Sequence, residues 1–215
     1  MINTTGFEPS FPMKKTLLLR LFQCLPVVFL GCADKKLSQA ELIQYVADDP
    51  DLSKSKTHEG FDITVTFRPT DLLIAQELET GKLPGSARVE ALREKYQDHH
   101  YFLLSLSKNK KEAIYQIPQA HFSSIVQTLS FGMSPYVNLT SSGQDTVAVA
   151  DYIFTRTYGM GTATTLMFVF SREKIQEDEW IQFNLKEFGM GLGNHNFRFG
   201  RSHLESVPAL DFTRL

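Results

Sequence analysis

The distribution of apolar residues predicts an α+β fold, with helices and strands mixed in the N-terminal half and an antiparallel β meander or sandwich in the C-terminal half. Three observations carry this. Residues 61–67 alternate strictly, with Phe61, Ile63, Val65 and Phe67 on one face and Asp62, Thr64 and Thr66 on the other. Apolar residues at helical spacing recur up to about residue 130. After Pro135, short apolar segments follow one another, separated only by Gly-rich or charged turns.

Taken in order, Ser38 followed three residues later by Glu41 forms a capping box, and Leu42, Ile43 and Val46 supply one apolar face, so a helix is expected over 39–47. Asp48, Asp49 and Pro50 stop it, and 48–60 is polar enough to read as a connection. After the 61–67 strand, Pro69, Thr70 and Asp71 open a helix that Gly81 ends. A second helix is expected over 86–96, after the Pro84-Gly85 turn. Residues 101–107 read as a strand facing inward through Phe102, Leu104 and Leu106, and 119–130 as a helix through Phe122, Ile125, Val126 and Leu129. Strands are expected over 136–140, 146–157, 162–172, 180–187 and 196–199. Every residue from Leu166 to Phe170 is apolar, which predicts a central strand covered on both faces. Gly132, Gly159 and Gly189 each sit between an aromatic residue and a Met, and read as turn glycines after aromatic strand ends.

Residues 13–32 determine the compartment. Lys14, Lys15 and Arg20 precede a short apolar run from Leu21 to Leu30, interrupted only by Gln23 and Pro26, which is the pattern of a secretory signal. The run is shorter than the roughly 20 residues a membrane-spanning helix needs. Met13 is an alternative start, since Pro9, Pro12 and Glu8 would be an unusual opening for a signal. Phe29-Leu30-Gly31-Cys32 resembles the lipobox of bacterial lipoproteins, although Phe29 stands where that family usually has Leu. The resemblance implies a mature chain that begins at Cys32 and is held to a membrane by acyl chains on that residue. It also tilts the address toward the outer rather than the inner membrane, because Ala33 and not Asp follows the cysteine. The domain organisation expected is a signal over 1–31, a lipid-anchored tether with a short helix over 32–60, and one globular α+β domain over 61–215. Residues 62–73 and 187–199 also resemble uncharacterised lipoproteins of Gram-negative bacteria, a resemblance that implies nothing beyond lipidation.

Removing 1–31 moves the formal charge from −2 to −4, so there is no electrostatic drive toward nucleic acid. Cys24 and Cys32 are the two cysteines of the chain, leaving the body without disulfide or thiolate chemistry. The aromatic content, 17 Phe and 7 Tyr, points to a large buried core.

No linear catalytic signature is present. Gly189, Gly191 and Gly193 resemble a phosphate-binding loop in composition, but they stand between two strand patterns and read as a hairpin loop. Asp98 and His100 could share a strand face, and Asp48, Asp49 and Asp51 are clustered, yet neither set has the partners or spacing of a metal site, so no metal and no cofactor is expected. Asp151 lies among apolar residues and is the candidate ligand anchor or acid, to be set against a salt bridge to Arg156 or Arg172 or a break in the strand.

Three roles follow. The first is a non-enzymatic binding or accessory module, with the membrane and an envelope protein as partners. The second is a periplasmic hydrolase using carboxylates such as Asp151 or Glu187, which requires two of them about 5–10 Å apart. The third is a structural envelope protein.

Overall fold

The computed structural model describes residues 36–78, 85–175 and 177–215. The signal segment and Cys32 lie outside the described residues.

The first helix, α1 (Gln39–Asp48), begins at the expected capping box: the Ser38 amide donates to Glu41 Oε2 at 2.8 Å, and the Glu41 amide donates to Ser38 Oγ at 3.4 Å. Leu42 and Val46 are buried, whereas Ile43, expected on the same face, is exposed. An i, i+4 pair is enough to seat so short a helix. The polar stretch after it is not a connection. Residues of β1 (Ser53–His58) pair antiparallel with β2 (Phe61–Phe67). Hydroxyl contacts join the two strands, Ser53 to Thr66 at 2.8 Å and Ser55 to Thr64 at 2.7 Å. Residues from Lys36 to His58, expected to be a tether, therefore contribute to the packing, and Leu37 bridges to Leu210 near the C-terminus.

Two helices follow, α2 (Thr70–Glu77) and α3 (Ser86–Tyr96), and then the long strand β3 (His99–Lys108) with the two-residue β4 (Lys111–Glu112) folded back on it. Helix α4 (Gln119–Phe131) leads to β5 (Val137–Ser141). Gly132 ends α4 instead of a strand, unlike Gly159 and Gly189, which take positive φ of 83° and 103° in turns. The segment expected as one strand over 146–157 is two: β6 (Thr146–Ala148) and β7 (Asp151–Thr155) belong to different sheets, so the chain crosses over at Val149 and Ala150. The remaining strands are β8 (Thr164–Ser171), β9 (Trp180–Leu185) and β10 (His195–Gly200), followed by the short α5 (Arg201–Glu205).

The result is a mixed α+β fold with antiparallel sheets. One sheet has the order β1-β2-β3-β8-β7 with β4 beside β3, and the other has β10-β9-β5-β6. The C-terminal strands are shared between the sheets, because β7 and β8 complete the one that β1, β2 and β3 begin. Phenylalanines from the two sheets meet at the centre. Phe102 of β3 lies 5.0 Å from Phe199 and 5.8 Å from Phe183 between ring centroids, and Phe168 of β8 lies 5.7 Å from Phe183. All four are fully buried, and such contacts add to the stabilisation that burial of the rings supplies. Strand β8 is central, as expected, but its faces differ: Leu166, Phe168 and Phe170 are sealed, while Met167 and Val169 are half-buried on the outer face. Near them Tyr96 of α3 packs edge-on against Tyr101, covering part of that face.

Candidate functional site

The strand registers bring three strand ends together. Phe67, the last residue of β2, pairs with Phe102, and His99, the first residue of β3, pairs with Ser171, the last of β8. Each ladder continues by one hydrogen bond: the Arg68 amide donates to the Tyr101 carbonyl at 2.8 Å, and the Arg172 amide donates to the Asp98 carbonyl at 2.9 Å. Arg68, His99, His100 and Arg172 are thus gathered at one end of adjacent strands, where they line a cavity of about 310 Å³. The chain after β10 supplies another part of its lining through Leu204, Val207 and Pro208.

Four arginines and three carboxylates line this cleft; two of the carboxylates pair with two of these arginines, and the third is hydrogen-bonded to neutral donors. Asp71 takes Arg93 at 3.4 Å on one oxygen and the Leu210 amide at 2.9 Å on the other. Glu205 takes Arg201 at 2.8 Å. Asp178 accepts from the Ser142 hydroxyl at 3.0 Å and the Gly143 amide at 2.7 Å. Two cations remain. The Arg68 guanidinium has no ion pair or side-chain hydrogen bond among the described residues, and burial pushes its pKa down from the usual arginine range. Arg172 donates from Nη1 to the Gln97 carbonyl at 3.2 Å, but its buried Nε has no partner.

His100 adds a polar group without charge. Burial, reinforced by the neighbouring Arg172 cation, pushes its pKa down to about 3, so the imidazole is neutral at physiological pH. It rests against Phe67, with 6.0 Å between ring centroids. The cleft therefore offers guanidinium donors, a neutral imidazole and an apolar wall, an arrangement for binding an anion. It presents no nucleophile activated by an adjacent base.

The residues singled out in the sequence lie elsewhere. Asp151 opens β7 on the exposed side and accepts from the adjacent Tyr152 amide at 2.8 Å. Arg172 faces the cleft and Arg156 stacks on Tyr158 at 4.8 Å, so Asp151 makes no ion pair with either. His58 and His195 approach edge-on at 5.6 Å. Among the described residues no group of three or more His, Cys, Asp or Glu could hold a metal ion.

Gly189, Gly191 and Gly193 form a loop between β9 and β10, as their setting between strand patterns predicts. Their amides do converge on an anion, but it is the chain's own. Glu187 Oε1 accepts from Gly189 at 2.7 Å and Gly191 at 2.9 Å, and Oε2 accepts from Gly193 at 2.6 Å. This carboxylate closes the loop. Both of its oxygens are occupied, which leaves it poorly placed for acid–base work.

Arg68 and Arg172 carried only a weak sequence signal. Each is a single cation directly after an apolar strand, and only the pairing of β2, β3 and β8 puts them together. Among the described residues no helix is long and apolar enough to cross a membrane. No protein-family model matches the chain, and no curated protein matches it. It is similar to a solved structure of a protein of unknown function from Burkholderia pseudomallei K96243, with 11% identity over 81% of this chain and 95% of that one, at a TM-score of 0.41.

Proposed function

We propose that the protein is a lipid-anchored, non-enzymatic binding module of the cell envelope, tethered to the outer membrane through acyl chains on Cys32, with the Arg68–Arg172 cleft as its binding site. The observation that carries the binding role is the part-buried Arg68 guanidinium, which has no ion pair or side-chain hydrogen bond among the described residues, beside Arg172 at a cavity where Asp71 and Glu205 are each held by another arginine. Permanent uncompensated charge in a desolvated cleft is costly unless a ligand offsets it. The signal and its lipobox-like end support the anchor, and the cysteine-free body is consistent with Cys32 being reserved for acylation.

Native mass spectrometry of the lipidated protein extracted from its own membranes tests the cleft. The expected result is a discrete bound mass on the wild type that is lost in Arg68→Gln. Identical spectra for the two proteins would remove the cleft as the binding site, and a defined turnover would make the protein an enzyme. Metabolic labelling with palmitate tests the anchor: label and membrane fractionation are expected to disappear in Cys32→Ser, and their persistence would remove the lipid anchor.

A further inference from the structure

Resting on the reading of the cleft as a binding site, we infer that its ligand is a small organic oxyanion, a carboxylate or phosphate ester carrying a short apolar group. The charge requirement comes from Arg68 and Arg172, whose planar forks present paired donors suited to the two oxygens of a carboxylate or phosphate. Arg172 spends Nη1 on the Gln97 carbonyl and its Nε is sealed from solvent, so Arg68, which makes no ion pair or side-chain hydrogen bond among the described residues, is the main donor. Of the three carboxylates, Asp71 and Glu205 are already paired with Arg93 and Arg201 and Asp178 accepts from Ser142 and Gly143, so arginine charge outweighs free carboxylate in the lining and favours an anion over a cation.

The apolar requirement comes from the rest of the lining. Phe67, Ile175, Ile181, Leu204, Val207 and Pro208 also line the cavity. A bare inorganic anion would leave this surface facing water, whereas a short hydrocarbon group would gain about 0.8 kcal/mol for each methylene it buries there. Size narrows the class further. At about 310 Å³ the cavity is at the lower end of the roughly 300–1,000 Å³ typical of small-molecule sites, which favours a metabolite-sized ligand over a polymer or an intact two-chain lipid.

The test is calorimetric titration of the full-length lipidated protein in nanodiscs with four probes: inorganic phosphate, butyl phosphate, pentanoate, and butyltrimethylammonium. Butyl phosphate or pentanoate is expected to bind at least tenfold more tightly than inorganic phosphate, and the ammonium ion is expected not to bind. The stronger of the first two identifies the head group. Arg68→Gln should weaken that probe at least tenfold without changing the thermal midpoint by more than a few degrees. Val207→Asn should weaken it while leaving inorganic phosphate unaffected. Equal affinity for phosphate and butyl phosphate, binding of the ammonium ion, absence of binding by either organic anion, or an unchanged isotherm in Arg68→Gln would each overturn the inference. If native mass spectrometry still shows an Arg68-dependent ligand in such a case, the ligand class is wrong and the cleft stands as a site; if it shows none, both fall.

Discussion

Replacing Glu187 by Gln asks whether the glycine loop between β9 and β10 is held by a charge or only by its turns. In the wild type one carboxylate accepts three backbone amides, from Gly189, Gly191 and Gly193, at 2.6–2.9 Å. Hydrogen bonds to charged groups contribute roughly 1.5–3 kcal/mol each, although partial exposure of this loop reduces that. Glutamine keeps one carbonyl oxygen for Gly189 and Gly191, but it loses the charge and sets an NH2 group against the Gly193 amide. A loss of about 2–3 kcal/mol at pH 7 follows, or roughly 5–10 °C in the thermal midpoint of a domain this size. The pH dependence separates charge from shape. Burial raises the Glu187 pKa, but the amides of Gly193, Gly191 and Gly189 outweigh it and hold the group below its ordinary value. A carboxylate with a depressed folded pKa adds stability above its unfolded pKa, near 4.3, and loses it as pH falls through the folded value. Urea unfolding of both proteins at pH 7 and at pH 3.5 should therefore show a gap that narrows in acid. A gap of the same size at both pH values, or one below about 0.5 kcal/mol at pH 7, would refute the electrostatic account.

Two further outcomes are expected. His100 has a folded pKa of about 3, well below the usual 6.5, so between those values the unfolded chain takes a proton that the folded protein refuses, and stability falls as pH falls. Wild-type protein should lose up to about 2 kcal/mol between pH 6.5 and pH 5, and His100→Phe should lose much less; parallel declines in urea midpoints would show that this imidazole is not the cause. Phe102 is fully buried against Phe67, Phe170, Phe183 and Phe199, so Phe102→Ala should cost about 3–5 kcal/mol in chemical denaturation, and a cost under 1 kcal/mol would mean that the two sheets do not meet there.

What could be read from residues alone was whatever has a local cause. The Ser38–Glu41 cap, the alternation of 61–67, the helices over 86–96 and 119–131 and the strand character of 164–171 each depend on neighbours within a few positions, and each is present. The misreadings share a different cause. β1 has no apolar signature, because its partners Thr64 and Thr66 are polar and a strand joined by hydroxyl pairs carries no apolar periodicity. The strand expected over 146–157 divides because Val147 pairs with Leu139 in one sheet and Phe154 pairs with Leu166 in the other, a break that no local residue marks. Neither error concerns propensity; both concern which distant strand does the pairing.

The candidate site is the extreme case of that dependence. Arg68 and Arg172 are more than a hundred positions apart, and their meeting rests on two registers, Phe67 opposite Phe102 and His99 opposite Ser171. Those registers are themselves set by burial: a slip of one residue between β3 and β8 would turn Phe102 or Phe168 outward and lose the contacts that join the sheets. The aromatic core that stabilises the fold thus also fixes the positions of the cationic cleft. A lesion in that core, such as Phe168→Ser, should impair ligand capture through Arg68 and Arg172 even though Phe168 does not line the cavity.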